Sequence, residues 1–184
     1  DSSLDEIADT INRHFLRVSP ESCFASLFLA RYDPARRKLR YLNAGHEPPF
    51  ILRAAGNKTR RIDLPSGGPV IGMLRDAAYR EDSVLLKSGD LVVAYTDGVC
   101  DLRSLSGEEW GKQRLVDSVM EHAGFNAREI VRRVMADMDA FANGEEQFDD
   151  MTLWVARVGP AEATKPVQEA DAEELLDQPV AFAA

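Results

Sequence analysis

Apolar residues at the start of the chain recur at helical spacing. Leu4, Ile7, Ala8, Ile11 and Phe15 form one stripe, with Asp5, Glu6, Asp9, Asn12 and Arg13 off it, so residues 3–17 are predicted to be an amphipathic helix. Ser19-Pro20 ends it, because the residue before a proline is pushed out of the helical region. The pattern then shortens to strands. Cys23 to Tyr32 is a mostly apolar candidate and Lys38 to Leu42 the next, with Asp33-Pro34-Ala35-Arg36-Arg37 between them as a hairpin turn. Asn43 to Pro49 interrupts the pattern, Phe50-Ile51-Leu52 resumes it, and Gly56-Asn57 marks another turn. Ser66-Gly67-Gly68-Pro69 opens a flexible loop that passes Ile71-Gly72. Tyr79 to Lys87 and Leu91 to Tyr95 then flank Ser88-Gly89-Asp90, which reads as a second hairpin.

Helical spacing returns twice. Gly111 to His122 carries Leu115, Val119 and Met120, and a longer helix capped by Asn126 carries Ile130, Val131, Val134, Met138 and Phe141 on one face. Asn143-Gly144 stops that helix, and Met151 to Val158 forms a last strand. A helix, several hairpin-linked strands, two helices and a strand do not make the alternation of a doubly wound sheet. The order predicts an α+β protein of antiparallel sheets with helices packed outside.

Composition narrows the class. The 184 residues suit one domain plus an appendage, and 45% hydrophobic residues are enough for a sizeable core. A net charge of −9 argues against a nucleic-acid surface. Six acids and one lysine lie between Pro160 and Ala184, so −5 of that charge belongs to an Ala-, Glu- and Pro-rich tail, residues 159–184, expected to be disordered. Cys23 and Cys100 are too few for a disulfide framework, and Cys23 is read as a buried free thiol in a reducing cytosol. No apolar run reaches the roughly 18 residues of a membrane span. A chain that starts at Asp1 is read as part of a longer protein.

Two acidic clusters carry the candidate chemistry. Tyr95-Thr96-Asp97-Gly98 follows one buried strand candidate and Asp149-Asp150-Met151-Thr152 precedes another. Ionised carboxylates beside dry strands are costly unless something positive meets them. Each cluster alone also fits a solvated turn, Asp-Gly being a common turn dipeptide. Together they suggest oxygen ligands for a hard cation such as magnesium or manganese. His46, beside Pro48-Pro49, reads as a turn residue rather than a base. His14 and His122 lie on or near helices without catalytic context, and no nucleophile elbow, Walker loop or zinc signature is present.

Seven segments then occur in a familiar order: Phe24-Ala25-Ser26-Leu27-Phe28, Asn43 to Pro49, Gly68-Pro69-Val70-Ile71-Gly72, Ser88-Gly89-Asp90-Leu91, Tyr95 to Val99, Gly107 to Gly111, and Asp149 to Leu153. Over roughly residues 3–158 the chain resembles the bacterial SpoIIE-like branch of the metal-dependent (protein phosphatase 2C type) serine/threonine phosphatases. The resemblance implies an α/β-β/α sandwich, two antiparallel sheets flanked by helices, with two Mn2+ or Mg2+ ions. By motif, Asp97 and Asp149 would be metal ligands and Asp150 a supporting residue; no side chain would act as a covalent nucleophile. His46 is usual at its turn in the bacterial branch.

The family's first metal motif, a Gly-Asp before a Gly-rich turn, has no counterpart, so the chain reads as lacking roughly the N-terminal third of the domain. By itself it would bind metal weakly and be inactive. The resemblance further implies a cytoplasmic protein, with an upstream sensory or receiver domain. Its substrate would be a phosphorylated anti-sigma-factor antagonist. The sheet surface left uncovered makes a dimer plausible. A non-catalytic partner-binding module with a degenerate phosphatase fold is the competing reading. A haloacid-dehalogenase-type phosphatase is disfavoured, since its Asp-x-Asp motif is missing.

Overall fold

The computed structural model describes residues 2–20, 22–56, 58–145, 147 and 149–160. They fall into two compact units. One gathers Asp1–Gly45 and Gly67–Leu85, the other His46–Ser66 and Leu86–Gly159. Each has its own antiparallel sheet, which agrees with the α+β expectation. The tail expected to be disordered lies outside the described residues from 161 onward.

In the first unit the opening helix, α1, spans Leu4–Val18. Ser3 and Glu6 close its first turn as a reciprocal capping box, so two of the orphan N–H groups of the helix start find acceptors. Its apolar stripe (Leu4, Ile7, Ala8, Ile11, Phe15) packs on Leu42 and Ala44 of the sheet and on Ile71. That sheet has the order β1-β2-β5: β1 (Leu27–Asp33), β2 (Lys38–Ala44) and β5 (Asp82–Leu85). Asn12 departs from its predicted place on the polar face. It is fully buried, donating from Nδ2 to the Leu74 carbonyl at 2.9 Å and accepting at Oδ1 from the Gly72 N–H at 2.8 Å. A buried amide is tolerated when its donors and acceptors are met, and here they fasten the 72–74 turn to the helix. The expected flexible loop is therefore pinned, also by bridges Ala44–Gly68 and Ala25–Ile71.

The second unit holds a sheet of order β4-β3-β6-β7: β3 (Phe50–Ala55), β4 (Lys58–Asp63), β6 (Leu91–Tyr95) and β7 (Leu153–Arg157). Phe50, Leu52, Leu91, Val93, Tyr95 and Val155 form the sheet side of its core. Against them lie α3 (Gly111–Glu121), through Leu115, Val116 and Val119, and α4 (Ala127–Ala142), through Ile130, Val134, Met138 and Ala142 at four-residue spacing. The Asn126 side chain caps α4 by accepting from the Glu129 N–H, and Asn143 ends it in the left-handed conformation (φ 50°). At roughly 1.5–3 kcal/mol per fully buried large aliphatic side chain, this face dominates the unit's stability.

Three expectations need correction. Ser88-Gly89-Asp90 is a turn but not a hairpin, because β5 pairs with β2 while β6 pairs with β3 and β7. Asp90 is used instead as a buried anchor, 1% exposed. Its carboxylate accepts a two-pronged bond from Arg53 (2.7 and 3.0 Å) and the Lys87 N–H at 2.7 Å. Cys23 is exposed, because β1 begins only at Leu27 and Cys23 sits in a turn donating its N–H to the Pro20 carbonyl. Asn43 and Ala44, read as part of an interruption, complete β2.

Candidate metal centre

The two acidic clusters meet because their strands are neighbours. β6 and β7 are antiparallel with Tyr95 opposite Leu153, so the end of one and the start of the other emerge side by side. Thr96 joins the segments. Its N–H donates to the Thr152 carbonyl at 3.0 Å, its hydroxyl donates to the Asp150 carbonyl at 3.1 Å, and the same hydroxyl accepts the Thr152 N–H at 2.9 Å. A serine or threonine oxygen can do both at once, which a carboxylate or an aliphatic side chain cannot.

Gly98 makes the approach possible. A Cβ there would stand 2.6 Å from the Asp150 carbonyl oxygen and 3.3 Å from that of Asp149, too close for any side chain without a backbone shift. The Thr and Gly around Asp97 are thus explained by what they touch across the sheet end. Neither contact was visible in the one-dimensional pattern; the repeated threonine, Thr96 and Thr152, was the available signal.

Asp97 is the first residue of a short helix, α2 (Asp97–Asp101), not a turn residue. Its Oδ1 accepts the Gly98 N–H at 3.0 Å, and Asp149 likewise accepts the Asp150 N–H at 2.7 Å. Asp97, Asp149 and Asp150 are all exposed, so their oxygens are open to a ligand.

The turn at 46–49 occupies the same sheet end, just ahead of β3. His46 Nδ1 lies 2.9 Å from the Glu47 carbonyl oxygen. Tyr95 donates its phenol to the Pro48 carbonyl at 3.4 Å, and Lys112 reaches that carbonyl at 3.3 Å and the Asp63 carboxylate at 3.2 Å. Burial, followed by the negative charge of Glu47 and Asp101, pushes the Cys100 thiol up to about 12; Asp97 acts in the same direction and Lys112 opposes it. The Tyr95 phenol is raised as well, first by burial and then by Cys100, Glu47 and Asp63. Both shifts favour the protonated, neutral form.

The donor chemistry suits a hard divalent cation: carboxylate oxygens at a helix start and on a loop, stapled together over a glycine. Among the described residues, however, no three His, Cys, Asp or Glu side chains are gathered as a metal cluster. Asp97 and Asp149 offer carboxylate oxygens of the type such an ion takes.

Residues 1–159 match the family model described as Stage II sporulation protein E (SpoIIE). The chain belongs to the SpoIIE family. Among curated relatives of this SpoIIE-family chain, Protein IcfG of Synechocystis is 40% identical over 131 residues, covering 71% of this chain and 20% of that protein. Phosphoserine phosphatase RsbU of Bacillus subtilis is 29% identical over 154 residues, covering 83% of this chain and 44% of RsbU. The chain thus spans less than half the length of either.

Among solved structures, the SiaA-PP2C domain of Pseudomonas aeruginosa aligns with TM-score 0.66 and 24% identity, over 81% of this chain and 57% of that one. The catalytic domain of the serine/threonine phosphatase PstP, solved with two manganese ions, aligns with TM-score 0.58 and 13% identity, over 85% and 70%. These likenesses establish a PP2C-type fold for the chain.

Proposed function

We propose that this chain is the part of a phosphoprotein phosphatase domain that presents two acidic ligands to a divalent metal centre. The substrate would be a phosphoserine or phosphothreonine on an anti-sigma-factor antagonist. The observation that carries the reading is the Thr96 staple over Gly98, which fixes Asp97 and the Asp149-Asp150 pair at one sheet end. Asp97 and Asp149 would hold manganese or magnesium, with Asp150 supporting them. Two such ions, when bound, supply a water of lowered pKa and positive charge for the phosphoryl oxygens.

The chain's own residues orient those ligands. The main-chain N–H groups of Gly98 and Asp150 each hold one oxygen of the neighbouring carboxylate, the other having no hydrogen bond among the described residues. Water is the proposed attacking group, in keeping with a Cys100 thiol that burial keeps protonated. With only part of a ligand shell, the 184-residue chain by itself would bind metal weakly and turn over little substrate. A non-catalytic, partner-binding role is the second reading, favoured by the lack of a third clustered acid among the described residues.

The test is manganese-dependent phosphate release from a phosphoserine protein by the longer parent protein. Loss of a residue behind a metal ligand already costs about 10–100-fold, so Asp97→Asn and Asp149→Asn should each lower the rate by about a hundredfold or more, and Asp150→Asn by about tenfold. Electron paramagnetic titration of Mn2+ into the 184-residue chain gives an independent readout, with weak binding that Asp97→Asn weakens further. Wild-type rates in either ligand variant would remove that ligand assignment. A parent protein with no metal-dependent release would favour the binding module.

A further inference from the structure

Strand β4 is one edge of its sheet and bonds to a neighbour, β3, on one side. Paired residues of an antiparallel ladder alternate, so half of the six residues of β4 turn N–H and C=O away from β3. Among the described residues, no main-chain hydrogen bond joins Lys58–Asp63 to any segment other than β3. An edge with open donors and acceptors is a template for a further strand.

The side chains of β4 restrict what that strand can be. Lys58, Arg60 and Ile62 lie on one face, and Thr59, Arg61 and Asp63 on the other. On the second face Arg61 pairs with Asp63 at 3.3 Å, and Lys112 reaches the same carboxylate at 3.2 Å. On the first face Arg60 stands opposite Arg53, whose guanidinium is taken up by Asp90 at 2.7 Å. Lys58 and Arg60 are exposed and have no ion pair among the described residues. They set two uncompensated charges about 7 Å apart along the edge. A second copy of the chain fits such an edge poorly. Two-fold antiparallel pairing of β4 with itself joins residues of the same face, and its fullest registers set Arg60 opposite Arg60 or Arg61 opposite Arg61. Like charges directly opposite one another are destabilising.

We propose that the free edge of β4 binds an extended acidic segment of a partner protein by strand addition, with carboxylates at alternate positions meeting Lys58 and Arg60. Main-chain bonds to the open edge supply the pairing, and the two cations supply the choice of partner. The charges that repel another copy of β4 are the ones that favour an acidic strand. A nucleic acid would meet the cations through its phosphates but offers no matching row of donors for the outward carbonyls.

Titrating a labelled peptide that alternates glutamate and valine into the 184-residue chain, followed by fluorescence anisotropy and by amide hydrogen exchange, tests this. The expected result at low salt is saturable binding with slowed exchange at alternate amides between Lys58 and Asp63. A peptide alternating lysine and valine should not bind. Lys58→Glu/Arg60→Glu, a change confined to exposed side chains, should weaken binding of the acidic peptide at least about fivefold. No binding, or slowed exchange confined to residues outside β4, overturns the proposal. Equal binding of the lysine peptide, or full affinity in the double variant, overturns the choice of an acidic partner. Slowed β4 exchange that grows with protein concentration in the absence of peptide overturns it in favour of a second copy. Tighter binding of an oligouridylate than of the acidic peptide overturns it in favour of a nucleic acid.

Discussion

At one end of the four-stranded sheet a carboxylate is buried, and at the other end carboxylates are exposed. Asp90 is 1% exposed and is met by Arg53 and a main-chain N–H. Asp97 and Asp149 are open to solvent, and the contacts that set them are neutral ones made by Thr96 and Gly98. A buried charge must be paired, so Asp90 is committed to holding β3 and β6 and has no capacity left for a ligand. Asp97 and Asp149 instead accept main-chain N–H groups and make no ion pair among the described residues. In this unit an ion pair holds the buried acid, and main-chain hydrogen bonds orient the exposed ones.

That contrast can be broken first at the buried end. Arg53→Met should strand the Asp90 carboxylate in a dry environment and cost about 3–5 kcal/mol, measured by urea unfolding. A cost under about 1 kcal/mol would mean that Asp90 is not committed to stability.

At the exposed end smaller losses are expected. Gly98→Ala should force the β6 and β7 ends apart for about 1–3 kcal/mol. Thr96→Val, by leaving the Thr152 N–H and Asp150 carbonyl short of a partner, should cost a similar about 1–3 kcal/mol. Either variant should weaken Mn2+ binding, whereas Arg53→Met should leave it unchanged under folding conditions. A stapled site that bound metal normally without its staple would refute the division of labour.

The smallest effect is a rate. With Ellman's reagent at pH 8 the exposed Cys23 should react promptly and Cys100 only on unfolding, since burial and its acidic neighbours raise its thiol to about 12. The sign follows. A pKa raised above the unfolded value of about 8.5 means the neutral thiol is favoured in the fold. The stability it lends is therefore complete below pH 8.5 and is lost as pH climbs toward 12. Cys100→Ser should flatten that alkaline loss; an unchanged alkaline limb would assign it to another group.

Much of this was written in one dimension. The apolar stripe from Leu4 to Phe15, the helical spacing of Ile130, Val134 and Met138 and the continuous apolar run from Leu91 to Tyr95 each report a local constraint, and each element formed where its pattern said. The misses share a cause, which is a partner distant in sequence. Ser88-Gly89-Asp90 has the chemistry of a hairpin turn, yet strand pairing is decided by β2 and β3 far upstream. Strand β4 carries little apolar alternation because it is an edge, with only Ile62 partly buried. Asn12 looks like a surface residue until Gly72 and Leu74 arrive beside it. At the site, Asp97, Asp149 and Asp150 were legible as motifs, whereas the reasons for Thr96 and Gly98 lay more than fifty residues away.

That separation has a consequence for how the protein is made. Thr96 finds its partners 54 and 56 residues downstream, in the segment that leads into the last strand of the sheet. On the ribosome, α3 and α4 can form as soon as they emerge, but the two acidic loops have nothing to lock them until β7 has been synthesised. The Thr96 staple is therefore among the last contacts this sheet end acquires. A chain released before Thr152 would carry Asp97 without the staple that joins it to the Asp149-Asp150 segment.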